Sequence, residues 1–146
     1  MSSAAAAPGT ADEATLPYSV ETFDYPNAAK ILKERGIALR KGDGHIVLAK
    51  DCNVTQDIAI LTSDVGNPDR GRYCFKVTGT GKTGYLTLEI PKVLVIKTAD
   101  YHVQASVTAD GTTTSVDVPK NQKASVGEGT NPPGGPAVLV ELRVTG

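Results

Sequence analysis

The nearest thing to a chemical signature in this chain is Gly79-Thr80-Gly81-Lys82-Thr83-Gly84, which matches G-x-G-x-x-G and whose Gly81-Lys82-Thr83 imitates the end of a Walker A loop. Both motifs hold phosphate with the amides of a following helix, and a full Walker A needs glycine where Lys76 stands. Tyr85 to Ile90 instead alternates as a strand does, so the stretch reads as a flexible hairpin turn. Hydrolytic chemistry needs a positioned base. The candidates are His45 and His102, without a Gly-x-Ser-x-Gly elbow, and each reads as a surface or strand-end residue. Asp43, among glycines, lacks the alternating oxygen ligands and closing glutamate of an EF-hand. The carboxylate pairs Asp12/Glu13, Asp64/Asp69 and Glu89/Glu128 come together only under an assumed strand order. The expectation is a chain with no catalytic residue, no metal and no cofactor.

Cys52 and Cys74 each fall at a strand or strand end, and a disulfide is their natural pairing; two buried thiols are the alternative. Zinc would have to recruit His45 and His102, and neither Cys-x-x-Cys nor His-x-x-x-His spacing is present to preform half a site. Arg70 and Arg72 flank Gly71 at the end of a turn-rich stretch, SDVGNPDRG, close to Cys74. A tethered loop that displays arginine can plug an acidic pocket such as a trypsin-like specificity site. The plainer reading is a solvated turn, since most surface arginines are idle.

The elements that must position these residues are mostly strands. Residues 1–15 are a low-complexity, alanine-rich start without the charged and apolar regions of a secretory signal, as expected of a mature exported chain whose signal was replaced by an initiator methionine; a cytosolic protein with a floppy tail is the competing reading. Leu16, Tyr18 and Val20 then recur at period two, followed by Phe23 and Tyr25. This is an extended segment with an apolar edge, suited either to its own sheet or to strand addition on a partner. Pro26 to Arg35 is the one good helix candidate: Ala28, Ile31, Leu32 and Arg35 share a face, Gly36 supplies a left-handed stop, and Ile31 and Leu32 are expected to cover an edge of the core.

From Ile37 onward short apolar runs at 45–50, 58–62 and 72–78 are separated by turn formers. Leu86, Leu88 and Ile90 alternate with Tyr85, Thr87 and Glu89. Pro91 makes Val93 to Ile96 a separate strand. Asp110-Gly111 between alternating runs is a hairpin signal. Val138, Val140, Leu142 and Val144 read as a last inward face opposed by Glu141 and Arg143. The sum is an all-β chain: an antiparallel β-sandwich of seven or eight strands over residues 26–146, with one short N-terminal helix, behind an extended segment at 1–25.

Bulk properties narrow the function. At 146 residues one core is sufficient. A formal net charge of -1 offers no field for nucleic acid, and no stretch has the roughly 20 apolar residues of a membrane span. Aromatic content of 5% without tryptophan leaves few platforms for stacking sugars.

The segments GIALRKGDGHIVLAKDC (36–52), GYLTLEIPKVLVI (84–96), VDVPKN (116–121), VGEG (126–129) and AVLVELRV (137–144) resemble small secreted β-domain proteins of actinobacteria, and among these the adaptor subunit of umbrella toxin particles. That resemblance implies a secreted, non-enzymatic connector between a lectin-like subunit and a large repeat-bearing toxin chain, with the N-terminal segment inserted in the latter. It transfers no individual residue. The residues themselves place partner contacts at Leu16, Tyr18, Val20 and Phe23, with Arg70 and Arg72 as the inhibitor alternative.

Overall fold

Strict alternation in Gly84–Ile90 buries Leu86, Leu88 and Ile90 on one side and turns Thr87 and Glu89 outward, and that pattern, repeated along the chain, builds two facing antiparallel sheets. The computed structural model describes residues 21–66, 69–79 and 83–146. In chain order the elements are β1 (Phe23–Asp24), α1 (Ala28–Arg35), β2 (Ala38–Gly42), β3 (Ile46–Leu48), β4 (Ile58–Thr62), β5 (Arg72–Val77), β6 (Gly84–Ile90), β7 (Val93–Thr98), β8 (Val103–Ala109), β9 (Thr112–Val118), β10 (Lys123–Ser125), a 3-10 turn (Gly127–Gly129) and β11 (Val138–Val144). One sheet has the order β1-β2-β6-β11-β8-β9 and the other β10-β7-β4-β5-β3.

The fold is thus the expected β-sandwich, with additional strands at β1, β2 and β10. These three were hard to read because β1 and β10 are two and three residues long and β2, ALRKG, buries only Leu39 and Gly42. The core lies between the sheets: Leu86, Leu88, Val103, Ala105 and Leu142 from the first meet Ile58, Ile60, Tyr73, Phe75 and Ile96 from the second. Burying each large apolar side chain stabilises by about 1.5–3 kcal/mol.

Local chemistry sets the connections. Asp110 and Gly111 both take positive φ, 52° and 76°, between the paired residues Ala109 and Thr112, as a two-residue type I′ hairpin requires. Pro91 and Lys92, the latter at φ 58°, carry the chain from β6 in one sheet to β7 in the other. Cys52 and Cys74 are bridged, with Cα atoms 5.2 Å apart. Cys74 sits on the outer side of β5 opposite Ala59, and both are buried although outward-facing, beneath the loop that carries Cys52.

Three expectations need correction. The stretch Gly79–Gly84 is not a hairpin, because β5 and β6 lie in different sheets; the link crosses the sandwich, and its residues Thr80, Gly81 and Lys82 lie outside the described residues. In β11 a register shift between Leu139 and Glu141 changes the phase of alternation, so that Leu139, Leu142 and Val144 are buried while Val138 and Val140 are only half-buried. On α1, Ile31 packs against the core but Leu32 is 54% exposed.

The helix faces the sandwich through Arg35 instead. Arg35 Nε and Nη2 donate to the two carboxylate oxygens of Asp69 at 3.1 and 2.8 Å, Nη1 donates to the Ala49 carbonyl at 2.8 Å, and the Tyr73 hydroxyl donates to the Arg35 carbonyl at 2.9 Å. Gly36, at φ 75°, ends the helix with its N–H on the Leu32 carbonyl.

Candidate interaction site

On one flank of the sandwich the edge strands β1 and β3 leave an apolar cleft of about 270 Å³ lined by Phe23, Asp24, Tyr25, Pro26, Gly42, Gly44, Ile46 and Val47. It is built from the N-terminal side inward. Phe23 and Asp24 pair with Gly42 and Lys41 of β2, and Tyr25 N–H continues the ladder to the Arg40 carbonyl at 2.6 Å. Pro26 cannot donate, so the strand stops there. The Tyr25 side chain then crosses to the other sheet, where its hydroxyl oxygen accepts the Leu48 N–H at 2.8 Å.

Gly42 forms part of the wall, and only glycine fits: a Cβ there would lie 2.8 Å from the Tyr85 carbonyl oxygen. The next turn is fixed by Asp43, whose Oδ1 accepts the N–H groups of His45 at 2.9 Å and Tyr85 at 3.2 Å. This turn delivers Ile46 to the core and leaves Val47 half in solvent at the rim. Phe23 is 60% exposed, on the outermost strand of its sheet. The charge at the rim is Asp24, whose pairing with Lys41 at 3.6 Å is largely in solvent and therefore contributes little. At about 270 Å³ the space falls just below the roughly 300–1,000 Å³ of small-molecule pockets, and matches one or two apolar side chains of a partner better.

Gly79 and Gly84 of the G-x-G-x-x-G match serve the same region structurally. A Cβ at Gly79 would meet the His45 ring at 3.2 Å, and one at Gly84 would meet Ile46 Cγ1 at 2.8 Å. His45 Nδ1 lies 3.2 Å from the Thr83 carbonyl oxygen and 3.5 Å from Asp43 Oδ2, and His102 Nε2 lies 2.6 Å from Asp117 Oδ1. Among the described residues no serine, threonine or cysteine side chain hydrogen-bonds either ring, and no group of three or more His, Cys, Asp or Glu is placed to hold a metal.

Of the residues expected to touch a partner, Phe23 lines the cleft, while Leu16, Tyr18 and Val20 lie outside the described residues. Arg70 and Arg72 are exposed but away from the cleft lining: Arg70 is in a turn at φ 54°, and Arg72 sits in β5 opposite Leu61 on the outer face of its sheet. The sequence placed Tyr25 in the extended docking segment, but gave no role here to Gly42, Ile46 or Val47. An aromatic two residues after Phe23 was visible, but nothing local to it announces that its hydroxyl reaches Leu48. No protein-family model matches the chain, and no curated protein matches it.

Proposed function

We infer that this chain is a secreted, non-enzymatic protein-interaction module, an adaptor within an extracellular toxin-type assembly, that docks one partner along the β1–β3 flank. The observation that carries this reading is Phe23, a large aromatic left mostly in solvent on an edge strand beside an apolar cleft. A partner segment can use both features at once, resting against the Phe23 ring while one apolar side chain enters the cleft between Tyr25 and Val47. The apolar residues Leu16, Tyr18 and Val20 precede this flank in the chain and would extend the same interface.

The inhibitor reading is less well supported. Proteases take extended loops, whereas Arg70 is at positive φ and Arg72 is held in a sheet. The test is affinity purification from the native secretome with the full chain and with Phe23→Asp. Specific capture of secreted partners by the wild type, reduced by about 2 kcal/mol in the variant as for an interface anchor, supports docking here. Capture of a protease alone, unaffected by Phe23→Asp and lost in Arg70→Ala or Arg72→Ala, would replace the adaptor by the inhibitor.

A further inference from the structure

Among the described residues the sandwich has four edge strands, and three are blunted against pairing with another chain. β1 is two residues long and stops at Pro26; β3 is three residues long and has its Leu48 N–H taken by Tyr25; β10 is three residues long and carries Lys123. β9, TTTSVDV, is different. It pairs with β8 without interruption from Val103↔Val118 to Ala109↔Thr112, and it has no proline, lysine, arginine or bulge.

The direction of its main-chain groups follows from its neighbours. His102 N–H bonds the Gly146 carbonyl, and the His102 carbonyl accepts Thr145 N–H, so even-numbered residues of β8 address β11 and odd-numbered ones address β9. Across the pairing, Thr112, Thr114, Val116 and Val118 therefore bond to β8, and the N–H and C=O groups of Thr113, Ser115 and Asp117 point off the sheet. Residues Thr112 to Ser115 are exposed on both faces.

We propose that β9 pairs antiparallel with β9 of a second copy of this chain about a two-fold axis at Ser115, joining two six-stranded sheets edge to edge. In this register Ser115 meets the partner's Ser115, and Thr113 meets the partner's Asp117 on each side of the axis, forming six main-chain hydrogen bonds. The one charged side chain of the strand then faces a hydroxyl. Moving the axis to Asp117 sets two carboxylates opposite each other, moving it to Thr113 leaves Asp117 beyond the paired stretch, and placing it at Thr114 or Val116 forms four bonds within the strand instead of six; charge and bond number together select Ser115. Isologous two-fold pairing is also the commonest way a chain meets itself. The β1–β3 cleft lies at the opposite edge of the sheet and stays open in such a dimer.

Sedimentation equilibrium of the full chain up to about 1 mM tests this. Ser115→Lys sets two ammonium groups against each other on the axis, and Ser115→Pro removes an outward N–H that β8 does not use. The expected result is a wild-type monomer–dimer equilibrium whose Kd rises more than about 10-fold in both variants, with the melting temperature unchanged at concentrations low enough for the wild type to be monomeric. Amide exchange at Thr113, Ser115 and Asp117 should slow as wild-type concentration rises. If Ser115→Pro fails to fold, Ser115→Lys decides alone. A wild type that stays monomeric, or a dimer that persists in Ser115→Lys, overturns the proposal; an edge that captures only a different protein does so too.

Discussion

The hydroxyl oxygen of Tyr25 accepts the backbone N–H of Leu48 at 2.8 Å, so a side chain anchored on one sheet closes the open ladder of the other. One contact thus ties the N-terminal flank to the sandwich and keeps β3 from offering a free edge.

Tyr25→Phe should keep the ring's packing and remove this bond, leaving the Leu48 N–H to the cleft. The expected loss is about 0.5–1.5 kcal/mol, read as a lower urea midpoint with unchanged slope. An unchanged midpoint would mean that water replaces the hydroxyl at no cost.

Arg35 and Asp69 form the second long-range tie, with side chains 17% and 13% exposed. Truncating either partner strands the other in a mostly buried setting, so Arg35→Ala or Asp69→Ala should each destabilise by about 1–3 kcal/mol. The double variant should cost less than the sum of the singles. Denaturant melts of the four proteins measure the coupling, and strict additivity would show that the pair does not act as a unit.

The Cys52–Cys74 bridge closes a stretch with a sequence separation of 22, and its removal by Cys52→Ala/Cys74→Ala should cost about 3 kcal/mol. Thiol titration of the native protein without reductant should find no free thiol; two titratable thiols would remove the bridge from the account.

Deleting residues 1–22 should leave the melting temperature unchanged, because Phe23, Tyr25 and the cleft remain, while weakening co-purification with the partner through the loss of Leu16, Tyr18 and Val20. Deleting residues 1–25 should also lower the melting temperature, by roughly 3–6 °C per kcal/mol lost with Tyr25. Unfolding of the shorter deletion, or full capture of the partner by it, would sink the assignment of Leu16 to Tyr25 as a docking element.

The parts of the fold that were legible are those written locally. Alternation in Gly84–Ile90 and the Asp110-Gly111 turn each depend on a few adjacent residues, and the structure has both as expected. What was not legible depends on residues far apart in sequence. The phase of Val138–Val144 is reset by a bulge formed against β6 and β8, and the assignment of β5 and β6 to different sheets is invisible to any window that spans Gly79 to Gly84 alone. The cleft was half legible: Phe23 stood out as an apolar residue in an extended stretch, but its walls come from Gly42, Ile46 and Val47, about 20 residues further on, and are brought there by the Asp43 turn.

β11 lies between β6 and β8 in its sheet although it is the last strand in chain order, with Leu142 matched to Leu86 on one side and Ala105 on the other. During vectorial synthesis, therefore, β6 and the β8–β9 hairpin exist for a time as two unsealed pieces whose apolar faces have no common neighbour. The six-stranded sheet can close only after β11 has been made, so the segment that carries Leu142 is the piece whose arrival joins the two halves.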